Sequence, residues 1–268
     1  MISPLETAVI QVTTACPLSC AQCYMEHTGI HMQLSTAREI LLRAKTLGAS
    51  AVQLTGGEPM IYPWIADVVR ECRQQDMLTV IATSGYRYDR LRELKAAGLS
   101  AVCVSLNSID PEVNSHTRQM YNLAIEAIQE AVALEIPCLV NLVLTHDSVR
   151  TLVQTADALE AMGVSGLILL KRFPNSRGEG GQVLTPEEMS AVRDCVCHMR
   201  DFVQVERCCT AYWARYYGLT GPCTEGGRRS IFWNADGTVS PCSQKTAYVY
   251  PTVEAMQSDQ ERWFGECI

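Results

Sequence analysis

Cys16-Pro17-Leu18-Ser19-Cys20-Ala21-Gln22-Cys23 separates three cysteines by three and then two residues, close to the amino terminus. Three thiols this close in sequence are confined to one small volume, which favours a shared metal site over three separate structural roles. Thiolates select zinc, copper(I) or iron–sulfur clusters over hard cations. Zinc would need a fourth ligand, which His27 or His31 could supply. A 4Fe–4S cluster held by three cysteines instead leaves one iron open to a ligand that is not protein.

Short apolar strands alternate with amphipathic helices on both sides of this motif. The pattern predicts strands over residues 8–12, 50–55, 78–82, 101–106, 138–144 and 166–170, with helices between them. This alternation is typical of parallel βαβ units whose helices cover the sheet. Six units are two short of a closed eight-fold barrel, and the pattern alone leaves a doubly wound open sheet as the alternative.

Composition limits the kind of protein and its compartment. The 268 residues suffice for one large α/β domain, with or without a small appendage. Thirteen cysteines is an odd number, so they cannot all pair within one chain. No signal peptide and no apolar run of about 20 residues is present, so we expect a cytoplasmic protein without a membrane partner. The net charge of −7 argues against nucleic acid as a partner.

The tail of the chain differs from the rest. The βα alternation stops near residue 203, and Cys223 and Cys242 then flank a predicted hairpin, with strands over 230–233 and 238–240. Such a hairpin would bring the two thiols toward one another, although a plain hairpin with buried thiols is the alternative. We therefore predict one domain over residues 1–203 and a small cysteine-rich domain over 204–268.

The spacing of Cys16, Cys20 and Cys23 resembles the cluster motif of the radical S-adenosylmethionine (radical SAM) superfamily. In that family SAM chelates the open iron of the 4Fe–4S cluster. The resemblance implies a partial (β/α)6 TIM-like barrel whose active site lies at the carboxyl ends of the strands. The family usually has an aromatic residue just before the third cysteine, beside the adenine. Here that position is Gln22, and the aromatic Tyr24 comes just after.

The stretch Gly56-Gly57-Glu58-Pro59 resembles the GGEP motif of the same family, which lies along the methionyl part of SAM. Two glycines let bare backbone approach a ligand, while a plain strand-to-helix turn is the alternative. The resemblance implies further cofactor contacts at other strand ends. These candidates are Ser84, Ser105, Asn107 in place of the usual acid, Asn141 and Arg172. A buried and satisfied amide is an equal alternative for Asn141, and a solvated loop is an alternative for the basic group around Arg172.

Cys223, thirteen residues, Gly237, four residues and Cys242 resemble the element that opens SPASM and twitch auxiliary-cluster domains. A full SPASM domain continues with several more cysteines, whereas only Cys267 follows here. The resemblance therefore implies a twitch-type domain with a second, auxiliary 4Fe–4S cluster. Its remaining ligands would be Cys208 or Cys209, and Cys267.

The resemblance implies an enzyme of the oxidoreductase or isomerase type. An electron donor such as flavodoxin or ferredoxin would drive cleavage of SAM to a 5′-deoxyadenosyl radical, which abstracts a hydrogen atom from a substrate carbon. We expect epimerisation, crosslinking or oxidation of a ribosomally synthesised peptide. The first strand begins near residue 8, so a leader-binding domain is expected on a separate protein. The alternatives are a dehydrogenase or epimerase of a sugar, aminocyclitol or other small natural product, and a non-enzymatic zinc-binding module. The sequence identifies no catalytic residue.

Overall fold

The predicted strands form one sheet in the computed structural model, which describes residues 5–174, 181, 183–206, 213, 223, 225–245 and 247–263. The strands are β1 (Thr7–Thr13), β2 (Ala51–Gly56), β3 (Leu78–Thr83), β4 (Ala101–Ser105), β5 (Cys138–Val143), β6 (Gly166–Leu170), β7 (Val203–Val205), β8 (Ser230–Trp233) and β9 (Val239–Ser240). Their order in the sheet is β7-β6-β5-β4-β3-β2-β1-β8-β9.

Helices connect the strands β1 to β7, and two more helices follow the last strand. They are α1 (Leu34–Thr46), α2 (Ile65–Gln74), α3 (Leu91–Ala97), α4 (Pro111–Ser115), α5 (Tyr121–Ala133), α6 (His146–Arg150), α7 (Leu152–Ala161), α8 (Pro186–His198), α9 (Val253–Ser258) and α10 (Gln260–Trp263). Within the described ranges, no helix combines the length and the apolar character needed to cross a bilayer.

The order of the strands confirms the predicted partial barrel. From β1 to β7 every neighbouring pair is parallel and consecutive in sequence. A doubly wound sheet would reverse its order at a switch point, and no reversal occurs between these strands. The sheet winds in one direction and stays open, so the carboxyl ends of β1 to β7 all meet at one face.

Burial alternates along the strands, and this sets which side chains can reach a ligand. In β5, for example, Cys138, Val140 and Leu142 are buried beneath the helices, while the residues between them are half-buried on the other face. Ser105 of β4 and Asn141 of β5 are register partners on that half-buried face. The inner face of the barrel therefore carries polar side chains near the strand ends.

Two helix starts differ from the sequence-based expectation. A capping-box spacing at Thr36 predicts a helix beginning there, whereas α1 begins at Leu34. The sequence pattern also predicts a single helix over residues 149–162, whereas the structure has two helices, α6 and α7. Thr145 caps the first of them, since its hydroxyl accepts from the backbone N–H of Ser148 and the Ser148 hydroxyl accepts in return.

The tail hairpin joins the barrel sheet. The predicted hairpin is present as β8 and β9, and β8 pairs in parallel with β1, with Thr7 opposite Ser230. The predicted boundary between residues 203 and 204 falls inside β7. The division into two domains stays a prediction, and the structure adds that both parts share one sheet.

Candidate active site

The three cysteines lie on a loop that is closed at its base. The loop leaves β1 and returns beside it, because the backbone N–H of Thr14 donates to Ile30 O at 2.8 Å and that of Met32 donates to Val12 O at 2.9 Å. The hydroxyl of Thr13 also donates to Ile30 O, at 3.0 Å. We call residues 14–31 the cysteine loop. Its position at the carboxyl end of β1 is the one that the sequence predicted.

The thiols of the cysteine loop are close enough to influence one another. Burial is the main cause that raises the pKa of Cys16 to about 11, and the nearby charges of Glu58, Cys20 and Cys23 add to it. The backbone of Leu18 opposes this rise. Burial also raises the pKa of Cys23, whose Sγ lies 3.5 Å from His27 Nε2. In the part of the chain that the structure describes, no three His, Cys, Asp or Glu side chains are arranged to hold a metal ion as they stand.

The two glycines of the GGEP stretch pass directly against this loop. The N–H of Gly57 donates to Thr13 O at 2.8 Å, and the N–H of Glu58 donates to Ala15 O at 2.9 Å. A Cβ at Gly56 would lie 2.5 Å from Thr13 O, and one at Gly57 would lie 2.2 Å from Ala15 O. The glycines are thus required by backbone contact with the cysteine loop, a reason that the sequence did not suggest. Their predicted contact with SAM stays a prediction.

Glu58 links the end of β2 to the end of β3. Its carboxylate is 1% exposed and accepts from Met60 N at 3.0 Å, Thr83 Oγ1 at 2.7 Å and Ser84 N at 2.8 Å, as well as from Ser84 Oγ. Burial raises the pKa of Glu58, and these four donors oppose that rise. Four donors occupy the lone pairs of both oxygens. Glu58 and Ser84, both predicted to bind cofactor, therefore bind each other, while Pro59 begins a short 3-10 turn.

Arg118 lies beside the cysteine loop and was not predicted from the sequence. Its Nε is buried and has no hydrogen-bond partner among the described residues. Burial lowers the pKa of Arg118, while the nearby groups of Cys20, Cys23, Glu58 and Cys16 raise it. The available signal was an arginine in the loop after β4, on the same face of the barrel as the cysteines. A guanidinium in this position is suited to an anionic group of a bound ligand.

Asn107, predicted as a cofactor contact, lies under the cysteine loop. It is 1% exposed, and its Nδ2 donates to Gln22 Oε1 at 2.9 Å and to Thr117 Oγ1 at 2.7 Å. Its Oδ1 accepts from Val143 N at 3.0 Å. The side chain is thus used within the protein. A direct contact between Asn107 and a cofactor stays a prediction.

The remaining barrel candidates are spread along the strand ends. Ser105 and Asn141 face the barrel interior side by side and make no side-chain hydrogen bond to a described residue. Arg172 lies in the segment that leaves β6. Glu206, which the sequence did not single out, follows β7 and accepts from Lys171 N at 2.7 Å. Burial raises the pKa of Glu206 to about 8.

Cys223 and Cys242 lie near each other at the base of the hairpin. The charge of Cys223 contributes to the raised pKa of Cys242, whose main cause is burial. The backbone of Gln244 and Lys245 opposes this rise in the pKa. Cys208, Cys209 and Cys267, the other predicted ligands of an auxiliary cluster, lie outside the described residues.

The register places this second pair of thiols away from the cysteine loop. β8 begins opposite Thr7, and β9 runs back from the turn toward that same end. A Cβ at Gly226, which bridges to Ser230, would lie 3.3 Å from Cys242 Cβ. The hairpin thiols are thus near the amino-terminal end of β1, whereas the cysteine loop is at its carboxyl end. The strand between these two ends has seven residues and is about 20 Å long.

Comparison with known sequences gives relatives of two kinds. The chain is 27% identical over 256 residues to a probable GTP 3′,8-cyclase of Sulfurisphaera tokodaii, covering 89% of this chain and 81% of that protein. It is 25% identical over 258 residues to the PqqA peptide cyclase of Streptomyces rochei, covering 91% of this chain and 70% of that protein.

Comparison with solved structures gives the same fold. SuiB of Streptococcus suis bound to S-adenosylmethionine superposes with a TM-score of 0.78 at 17% identity, over 97% of this chain and 66% of SuiB. anSMEcpe with bound AdoMet superposes with a TM-score of 0.71 at 13% identity, over 96% of this chain and 78% of that protein. The sequence model of the Radical SAM superfamily matches residues 10–169, which is more than half of the chain. The chain, with its cysteine loop at the end of β1 in an open parallel barrel, belongs to the radical SAM superfamily.

Proposed function

We propose that this chain binds a 4Fe–4S cluster through Cys16, Cys20 and Cys23, binds SAM on its open iron, and modifies a residue of a ribosomally synthesised peptide by epimerisation, crosslinking or oxidation. A low-potential protein such as flavodoxin or ferredoxin would supply the electron. The ten described cysteines are all free thiols, in keeping with a reducing, cytoplasmic setting.

The observation that carries the proposal is the half-buried Arg118 beside three loop thiols, with its Nε buried and without a partner among the described residues. A cationic side chain whose Nε is buried without a partner is destabilised unless an anion joins it. The carboxylate of SAM, which would be brought here by an iron held on those thiols, provides that anion. When bound, the cluster and SAM together supply one-electron chemistry that removes a hydrogen atom from an unactivated carbon. The three thiols thus fit the cluster, and the Arg118 guanidinium fits the carboxylate of SAM.

The other residues of the site would hold these groups. Glu58 fixes Ser84 and the end of β3 against the end of β2, and the two glycines keep that end in contact with the cysteine loop. Ser105 and Asn141 offer hydroxyl and amide groups on the half-buried face, where ribose or substrate would lie.

A peptide substrate is supported by the character of the barrel interior. The half-buried positions of β2 to β6 in the described sheet carry no charged side chain, and their polar groups are amides and hydroxyls. Such a surface suits a peptide backbone, which hydrogen-bonds without net charge. The similarity to a PqqA peptide cyclase and the fold shared with SuiB, solved bound to its precursor peptide SuiA, support the same substrate class.

A small molecule is the second candidate. Lys171 and Arg172 leave β6 together and could contact an anionic group of such a substrate. The similarity to a probable GTP 3′,8-cyclase, of which the chain covers 81%, also supports this class. This class of substrate includes sugars, aminocyclitols and other small natural products. A zinc-binding module gains no support from the relatives.

We further propose that Cys223 and Cys242 ligate an auxiliary 4Fe–4S cluster in a tail domain beginning near residue 204. The support is their proximity and the backbone of Gln244 and Lys245, which opposes the rise in the pKa of Cys242 and so favours a thiolate ligand. Cys208 or Cys209 and Cys267 would complete the ligand set. The cluster would accept an electron from the substrate or relay one to it.

The function is tested with anaerobically reconstituted protein, SAM and a reductant. We expect the wild type to form 5′-deoxyadenosine and the triple variant Cys16→Ala/Cys20→Ala/Cys23→Ala to form none. Candidate precursor peptides, GTP and sugars carrying deuterium are then compared for transfer of deuterium into 5′-deoxyadenosine. Transfer from a peptide supports the proposal, whereas transfer from GTP or a sugar alone supports the second candidate. Deoxyadenosine formation by the triple variant would refute the cluster assignment.

A further inference from the structure

Gln22 and Asn107 depart from the usual family residues, an aromatic and an acid, and in this chain the two departures meet. Asn107 Nδ2 donates to Gln22 Oε1 at 2.9 Å, across 85 positions of sequence. Gln22 is 8% exposed and Asn107 is 1% exposed, so water does not compete freely for this bond. An aromatic ring at position 22 could not accept the bond, and a carboxylate at position 107 could not donate it. The acceptor at position 22 and the donor at position 107 are therefore complementary.

Asn107 is a fixed anchor for this bond. The second N–H of its Nδ2 donates to Thr117 Oγ1 at 2.7 Å, and its Oδ1 accepts from Val143 N at 3.0 Å. Its backbone N–H donates to Asn114 Oδ1 at 2.9 Å. With every polar atom of the side chain engaged, the amide cannot rotate without breaking several buried hydrogen bonds.

The same amide nitrogen reaches both sides of the candidate site. Gln22 immediately precedes Cys23, and Thr117 immediately precedes Arg118. One nitrogen thus ties the residue beside the third thiol to the residue beside Arg118. Two short hydrogen bonds to the buried side chain of Asn107 therefore set the distance between the cysteine loop and Arg118.

We propose that the Gln22–Asn107 pair is a positioning device that holds the cysteine loop in register with Arg118, so that a ligand can engage both at once. The proposal rests on the proposed function, since it takes SAM as that ligand. Gln22 and Asn107 are positioning residues here, because they act through Cys23 and Arg118. Losing the bond should weaken SAM binding without removing a cluster ligand.

Gln22→Leu tests the pair, because leucine is similar in size and cannot accept the bond. We expect reconstituted Gln22→Leu to keep the iron content of the wild type and to bind SAM about tenfold more weakly in equilibrium dialysis, as for the loss of one buried hydrogen bond. The change in the electron paramagnetic resonance spectrum of the reduced cluster on adding SAM should shrink at equal SAM concentration. Gln22→Glu keeps an acceptor for Asn107 Nδ2 and should stay within about threefold of the wild type.

Gln11→Leu is the matched control. Gln11 is also 8% exposed, and its Oε1 accepts one buried hydrogen bond, from Ala235 N at 3.1 Å, which leads to the hairpin. Its Nε2 makes one long contact with the cysteine loop, at 4.0 Å from Met25 Sδ, and a leucine side chain would keep an apolar contact with that thioether. Gln11→Leu should lower the melting temperature to a similar degree and leave SAM affinity unchanged. Wild-type SAM affinity in Gln22→Leu, or an equal loss in Gln11→Leu, would overturn the positioning role. A wild-type protein that takes up no iron or binds no SAM would instead refute the proposed function, and the positioning role with it.

Discussion

Arg118 is the residue whose placement most needs a ligand. A guanidinium removed from water loses its hydration, and only charge-assisted hydrogen bonds restore that loss in full. The structure supplies nearby negative charge from Glu58 and from the loop thiols but leaves Nε without a partner among the described residues. Glu58 cannot serve as that partner, because its four acceptor positions are occupied by Met60, Thr83 and Ser84.

Replacing Arg118 by methionine should weaken SAM binding about 10- to 100-fold, the range for losing a charge-assisted hydrogen bond to a carboxylate. Iron content should stay unchanged, since no thiol is removed. Arg92→Met is the control, because the side chain of Arg92 is 76% exposed and pairs with Glu130 on the helical surface. Equilibrium dialysis with labelled SAM measures both variants. Equal affinity in Arg118→Met and the wild type would contradict the anion-binding role.

Glu206 should give the protein a pH-dependent stability. Burial raises its folded-state pKa to about 8 from 4.5, while the backbone N–H of Lys171 and the Trp213 side chain oppose the rise. Because the folded state holds this proton more tightly, the contribution is complete below about pH 4.5 and is lost as pH rises to about 8. We expect Glu206→Gln, which stays neutral, to gain on the order of 1–3 kcal/mol over the wild type at pH 8.5 relative to pH 5. Thermal melts across that range measure it, and parallel pH curves for the two proteins would contradict it.

The strand ends build the site because backbone meets backbone there. The end of β2 continues the pairing of β1 past the strand, through bonds from Gly57 to Thr13 and from Glu58 to Ala15. Glu58 then carries the connection to β3 through Thr83 and Ser84. The ends of β1, β2 and β3 and the cysteine loop thus form one hydrogen-bonded unit. A backbone shift at one strand end should therefore move its neighbour.

Gly57→Ala should therefore disturb the cysteine loop itself. The added Cβ would lie 2.2 Å from Ala15 O and 2.9 Å from Cys16 Cβ, and neither can move without shifting backbone. We expect the free energy of unfolding to fall by about 2 kcal/mol or more and iron uptake to drop. Gly166→Ala is the control, since its Cβ would meet its nearest atoms at 3.3 Å and neither glycine has a positive φ. Normal iron uptake in Gly57→Ala would show that the loop tolerates the shift.

The local sequence pattern predicted the strands, whose positions local interactions determine. Apolar runs predicted β1 to β6 within one or two residues, and the turn at Asn234–Gly237 predicted β8 and β9. Contacts between distant segments carry no such local signal. The parallel pairing of β8 with β1, the bond from Asn107 to Gln22 and the burial of Arg118 Nε all depend on how the chain closes in space. The three-residue strand β7 is too short to show a period.

Seen across the molecule, the two groups of thiols are at opposite ends of the same strand. The cysteine loop follows the carboxyl end of β1, and the hairpin thiols lie beside its amino-terminal end, where Arg229 also pairs with Glu6. The strand between these two ends is about 20 Å long. Ligands lost at one end should therefore leave the other end intact, although both belong to one sheet.

The double variant Cys223→Ala/Cys242→Ala tests this separation. Each 4Fe–4S cluster carries four irons, so the wild type should reconstitute with ~8 irons per chain and the variant with ~4. Reductive cleavage of SAM should survive at least in part, because Cys16, Cys20 and Cys23 remain. Turnover of the true substrate should fail, because the electron it must release or receive has lost its partner. Iron assay, 5′-deoxyadenosine formation and substrate turnover are measured on the same preparations.

Loss of metal can also loosen the tail, because metal binding and local folding are coupled. Circular dichroism recorded beside the iron assay separates that effect from loss of the cluster alone. Cys195→Ala/Cys197→Ala on α8 is the control, since these two thiols point to different sides of a helix and should leave iron at ~8 per chain. A wild type that takes up only ~4 irons, or a Cys223→Ala/Cys242→Ala variant that keeps ~8, would refute the auxiliary cluster while leaving the first site standing.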